Sequence, residues 1–170
     1  MRAKPQIIKD GLVTDDNWTL IENTDTAITA EIKGQSIVPL SLWQTEQSLQ
    51  RENIGLLLDN DIDLSTISKD LTNVPVIAIN FPSFTDGRGF SIARLLRERY
   101  GYKGEIRAVG YVIRDQLCYL KRCGFNAFSF DPENILGAFD LAAIAASLND
   151  FTNSYQISAD TPTPLFRRRA

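Results

Sequence analysis

From Ser36 onward, short apolar runs alternate with helical patterns, successive runs lying about 20 to 25 residues apart. Five runs read as strands: Ile37–Trp43, Ile54–Leu58, Val74–Phe81, Ile106–Val112 and Ala127–Phe130. Residues 74–81 are almost continuously apolar, as a strand covered on both faces of a parallel sheet should be. Between the runs, Gln44–Gln50, Asp63–Asp70, Arg88–Tyr100 and Asp115–Cys123 read as helices, with a last one near Leu136–Leu148. On the third of these helices counting from Gln44, Phe90, Ala93, Leu96 and Tyr100 recur at spacings of three and four, which predicts a buried stripe. Arg94, Arg97 and Glu98 lie off it on a solvated face, with Arg94 placed to pair with Glu98. Upstream, the run Ile7–Val13 is broken by Asp10-Gly11, a strong hairpin signal, and residues 14–35 are polar around the isolated anchors Trp18, Leu20 and Ile21.

This order predicts an α/β fold: about five βα units forming a mostly parallel open sheet or partial barrel, preceded by an N-terminal β-hairpin. An ordinary eight-fold barrel needs more chain than the roughly 115 residues of the repeat supply. The expected organisation is one domain over 1–160, with hairpin and loops in 1–35 and the repeat in 36–150. Two prolines and Arg167-Arg168-Arg169 make 161–170 a mobile basic tail.

Composition narrows the chemistry. Of the 170 residues none is histidine, so Ser-His-Asp triads and His-ligated zinc are excluded. Cys118 and Cys123 lack the spacing and number of an iron–sulfur or four-cysteine zinc site and read as reduced, partly buried thiols. No intrinsic metal or haem site is expected. With no signal-like apolar region after the first residues and no run of membrane-spanning length, the chain reads as cytoplasmic. The net charge of −3 hides an asymmetry: residues 88–122 hold 9 basic and 3 acidic side chains, against 6 and 13 in residues 1–87. That basic stretch and the arginine tail are candidate docking surfaces.

In open α/β sheets, ligands collect beyond the carboxyl ends of the strands. The most distinctive segment at that end is Phe81-Pro82-Ser83-Phe84-Thr85-Asp86-Gly87-Arg88-Gly89. Ser83, Thr85, Gly87, Arg88 and Gly89, with the free amides of the helix that follows, form a candidate oxyanion site. Arg114, one strand later, is placed to reach the same crevice, and Asp115 sits where a carboxylate caps a helix. Structural readings stand beside these: Asp86 capping the turn, or pairing with Arg114. Asp86 and Asp115 are the candidate acid/base groups. Asp59, Asp61, Asp86 and Asp131 all fall near predicted strand ends and could ligate a hard cation if they converged.

The segment from Phe81 to Asp131, with FTDGRG, the ARLLRERYG helix, AVG followed by RDQ, and the RCGF turn, resembles a bacterial domain family of unknown function. Phe151, Tyr155-Gln156 and the opening IIKDGL fit it as well. Members of that family are found beside assimilatory sulfite reductase and are described as probable oxidoreductases involved in sulfite reduction. Tyr111 departs from the acidic or amide residue that members often carry there. The resemblance implies a pathway, sulfur assimilation, and brings no catalytic residues or cofactor with it.

The resulting expectation is an accessory protein of assimilatory sulfite reduction with an oxyanion-binding crevice at the carboxyl ends of the strands. Reduction itself takes six electrons and a metal cofactor, for which the chain shows no ligand set. The alternatives are a non-catalytic docking partner of sulfite reductase or its electron donor, and a barrel-like enzyme acting on a phosphorylated metabolite. Neither membrane nor nucleic acid is an expected partner, and a homo-oligomer is compatible with the sequence.

Overall fold

A computed structural model describes residues 4–21, 32, 34–45, 53–67, 71–131, 140–151 and 156–168. The Asp-Gly pair turns the first hairpin: Asp10 and Gly11 take φ of 50° and 82°, joining β1 (Gln6–Lys9) to β2 (Leu12–Asp15). Six further strands follow among the described residues: β3 (Thr19–Leu20), β4 (Ser36–Pro39), β5 (Ile54–Leu58), β6 (Val76–Phe81), β7 (Glu105–Gly110) and β8 (Ala127–Phe128). The α-helices are α1 (Leu40–Thr45), α2 (Arg88–Glu98), α3 (Leu117–Cys123) and α4 (Leu141–Ala146).

All eight strands form one sheet in the order β2-β1-β8-β7-β6-β5-β4-β3. From β3 to β8 every neighbouring pair is parallel, whereas β1 pairs antiparallel with both β2 and β8. The expectation of a mostly parallel sheet with the hairpin merely preceding it is therefore corrected: the hairpin is built in, and the sheet is mixed. Strand β8 is only two residues long, and the hairpin docks on it through Ile8 opposite Phe128, covering an edge that would otherwise stand open.

Connectivity explains why this sheet curls. Its edges are β2 and β3, yet only Asp16, Asn17 and Trp18 connect them. Seven inter-strand spacings laid flat would span about 33 Å, while four Cα-to-Cα steps reach at most about 14 Å. The sheet therefore bends into an open half-barrel with its two edges brought toward each other.

The two faces divide the core. On the outer face, Ile77, Ile79 and Phe81 of β6 and Ile106 and Ala108 of β7 pack with Ile92, Ala93 and Leu96 of α2 and Leu117 and Leu120 of α3. On the inner face, Ile37, Val76, Ala78 and Val109 form a smaller cluster against Trp18 and Leu57. The 16–18 strap thus crosses the hollow of the half-barrel. Arg107, 2% exposed, points into that hollow from mid-β7 and is held by Asp16 at 2.9 Å and Glu105 at 2.7 Å, with Lys9 on Glu105 at 2.7 Å.

Several expected elements are shorter than their sequence patterns. The run from Ile37 stops as a strand at Pro39, and Leu40–Thr45 turns helical, with Leu42 and Trp43 buried. Residues 46–50 of the expected first helix, 68–70 of the second and 136–139 of the last lie outside the described residues. The described part of Asp63–Asp70 is a single 3-10 turn, Leu64–Thr66, capped by Asp63 onto the Ser65 amide. A 3-10 turn, Arg114–Gln116, leads into α3, which ends at Gly124 in the left-handed region. Residues 158–161 form a tight turn, Leu165–Arg167 a 3-10 turn, and the segment lies along Arg94 of α2. Among the described residues no helix is long and apolar enough to cross a membrane.

Candidate functional site

The β6–α2 loop leaves the sheet at its carboxyl end, where a parallel strand must hand over to a helix. Ser83 and Thr85 hydroxyls lie 2.9 Å apart, and the Asp86 amide donates to the Ser83 carbonyl at 3.1 Å, so the loop is a closed turn. Asp86 then holds the start of α2: its Oδ1 accepts from the Arg88 amide at 3.2 Å, and the Arg88 guanidinium forks onto the same carboxylate at 3.0 and 2.7 Å. A carboxylate at a helix N-terminus is favoured by the dipole as well. The Arg88 fork, followed by the Arg88 amide, holds the Asp86 carboxyl well below the usual carboxylate range. The buried Asn60 side chain adds to that effect from the β5 loop, although its Nδ2 makes no hydrogen bond of ordinary geometry.

The two glycines of the motif do different jobs. Gly87 has φ −86°, and a Cβ there would make only an ordinary contact, 3.9 Å from Phe90 Cδ2. A Cβ on Gly89 would lie 2.7 Å from Phe81 Cζ, so this glycine permits close approach of α2 to β6. Gly110 ends β7 at φ 84°, where a Cβ would meet the Phe81 carbonyl at 2.6 Å and Asn80 Oδ1 at 2.7 Å.

The β6 and β7 loops are tied together. Gln116 Nε2 donates to the Phe84 carbonyl at 2.7 Å, while Gln116 Oε1 is buried without a partner. This tie brings the Arg114 turn beside the 82–88 loop. Arg114 is exposed and forms no ion pair among the described residues; the pairing of Asp86 with Arg114 that the sequence allowed is replaced by Asp86 with Arg88. Asp115 lies in the first turn and makes no capping hydrogen bond, since the cap position is Ile113. The candidate residues thus fall into two adjoining groups: Ser83, Thr85, Asp86, Gly87, Arg88 and Gly89 in one turn, Arg114 and Asp115 in the next.

Another member of the basic stretch turns inward. Arg97 enters the gap between α2, β7 and α3, donating to the carbonyls of Gly124, Tyr102 and Gly104 at 2.8–2.9 Å and to Asn126 Oδ1 at 3.3 Å. Its expected place on a solvated face is thus corrected: three carbonyls left unpaired at element ends draw it inward. Arg94 pairs with Glu98 at 3.0 Å, as its spacing predicts.

Sequence reasoning missed the other feature at this end of the sheet. A cavity of about 530 Å³ opens on the inner face at the carboxyl ends of β4 to β7, lined by Ser41, Gln44, Leu57, Asp59, Asn80 and Val109 among others. Asn80 is the one polar break in the apolar run of β6, and that interruption was the available signal. Of the four aspartates considered for a cation, Asp59 lines this cavity, and Asp61 lies near enough to Arg88 to raise its pKa slightly, behind the larger effect of Asp86. Among the described residues no three acidic, cysteine or histidine side chains gather as a metal site.

A family model described as "Bacterial protein of unknown function (DUF934)" matches residues 55–166, a span that includes all but the first residue of β5, β6 to β8, α2 to α4 and both loops described above. No curated protein and no solved structure matches the chain.

Proposed function

The chain belongs to this bacterial family of unknown function, and on that premise we propose that it is an accessory protein of assimilatory sulfite reduction that binds a compact oxyanion at the carboxyl rim of its sheet. The observation that carries the reading is the 2.7 Å bond from Gln116 to the Phe84 carbonyl, which fixes the Arg114 turn against the Arg88 loop. Arg88 and Arg114 are both exposed there, and α2 presents its amide end to the same rim. Sulfite suits such a place because guanidinium forks match planar pairs of anionic oxygens and lose little order on binding. Arg88 already pairs with Asp86, so an incoming anion shares that guanidinium rather than meeting a bare one, and Arg114 supplies the unshared charge. The chain's part in this reading is to hold the oxyanion for sulfite reductase or its electron donor, with electron transfer supplied by that partner.

The test is the thermal midpoint with sulfite, sulfate, phosphate and nucleotides, in wild type, Arg88→Ala and Arg114→Ala. A ligand at 100 times its dissociation constant adds about 2.7 kcal/mol, or about 5–10 °C for a domain of this size. Sulfite should raise the wild-type midpoint, and the rise should vanish in Arg114→Ala and shrink in Arg88→Ala. Equal shifts in all three proteins, or none with any anion, would overturn the oxyanion site and leave docking on the reductase as the reading to pursue.

A further inference from the structure

We propose that the mouth of the curled sheet is a second ligand site, which takes a small organic molecule carrying an ammonium group on an aliphatic body. The cavity of about 530 Å³ falls in the ordinary size range for small-molecule sites. It also lies where such sites form in curled parallel sheets, at the carboxyl ends of the strands. Its floor is closed. Val109 lines the cavity and belongs to the inner cluster, and Leu57, which also lines it, packs against that cluster as Trp18 does, so below the cavity lies packed core.

The lining defines the ligand. Asp59 is the one charged side chain among the described lining residues, and no lysine or arginine accompanies it. Among the described residues the mouth thus carries a single negative charge, which disfavours an anion such as sulfite and separates this site from the rim arginines. Asn80 supplies a second acceptor: its Oδ1 stands 2.7 Å from where a Cβ on Gly110 would be, so the absence of a side chain at 110 leaves that oxygen its place at the wall. A carboxylate and an amide oxygen above apolar Leu57 and Val109 match an ammonium head on a short hydrocarbon body, with Ser41 and Gln44 available for further hydrogen bonds.

The test uses butylammonium, butanol and butyrate as probes on the full chain, read by isothermal titration and by amide shifts in NMR spectra. Butylammonium should bind saturably and shift the amides of Asp59, Asn80 and Gly110, with butanol weaker and butyrate inactive. Affinity should fall about tenfold or more in Asp59→Asn, which removes a charged hydrogen-bond acceptor, and stay unchanged in Arg88→Ala. Asp59 is exposed, so the variant keeps its fold, and an unchanged amide spectrum elsewhere checks that. Equal binding of all three probes, no saturable shift at those residues, or undiminished binding in Asp59→Asn would overturn the proposal. Its failure is separable from that of the rim site, which responds to sulfite and to Arg114→Ala.

Discussion

Asp86 meets Arg88 through three hydrogen bonds of 3.2 Å or less, one of them to the backbone amide at the head of α2. Its carboxyl is harder to protonate in the native state than in the unfolded chain, where an aspartate titrates near pH 4. The ionised form therefore favours folding: the contribution is fully present above about pH 4 and is lost as pH falls through the depressed native value. With no histidine in the chain, no side chain of ordinary pKa changes charge between about pH 5 and 8. Thermal midpoints measured from pH 7 to 2.5 should show the gap between wild type and Asp86→Asn narrowing only below about pH 4. A gap that narrows above pH 5 would show that the pair does not hold the carboxyl low. The FTDGRG motif announced this turn, and the capping reading of Asp86 was open from the sequence; that Arg88 would fold back onto it, two residues away, depended on side-chain rotamers that spacing does not report.

Among the elements, α2 shows most directly how a local pattern and a packing demand combine. Of the predicted stripe Phe90, Ala93, Leu96 and Tyr100, Ala93 and Leu96 are buried and Phe90 and Tyr100 half-buried, and the structure adds Ile92 and Gly89 to the buried face. Gly89 sits where the first turn of α2 crosses β6, against Phe81 and Ile79. Gly89→Ala should cost about 1–3 kcal/mol by forcing the Phe81 ring aside, whereas Gly87→Ala, whose Cβ would make only an ordinary contact with Phe90, should change stability by less than about 0.5 kcal/mol. Urea unfolding of the two variants checks this, and equal losses would sink the close-approach argument. Arg97, on the same helix, was the residue the pattern misplaced. Its position is off the apolar stripe, and only the arrival of the Gly124, Tyr102 and Gly104 carbonyls beside it makes a half-buried arginine favourable.

At the scale of the molecule, the decisive contact joins residues 91 apart in sequence, Asp16 on the strap and Arg107 on β7. Arg107 and Glu105 are both almost fully buried, so the charges must balance within the hollow. Asp16→Ala leaves Arg107 with Glu105 alone and frees the strap that draws β3 toward β2. We expect a loss of about 3 kcal/mol in urea unfolding, with faster amide exchange at Thr19 and Ile21, which bond to the β4 side of the sheet. A loss below about 1 kcal/mol would mean that Trp18 packing alone holds the strap.

The sequence by itself determined the local elements and their succession: the Asp-Gly hairpin, the apolar strands, the helical stripe and the loop at the end of β6. These depend on periodicity and turn chemistry within a few residues, which a linear chain carries openly. Only the tertiary structure decided that the hairpin joins the sheet antiparallel, that three residues bind its edges into a half-barrel, that Arg107 lies inside, and that Arg97 turns half-buried onto loop carbonyls. Each of those follows from groups distant in sequence meeting in space, and hydrophobic periodicity has no term for partners that it does not place.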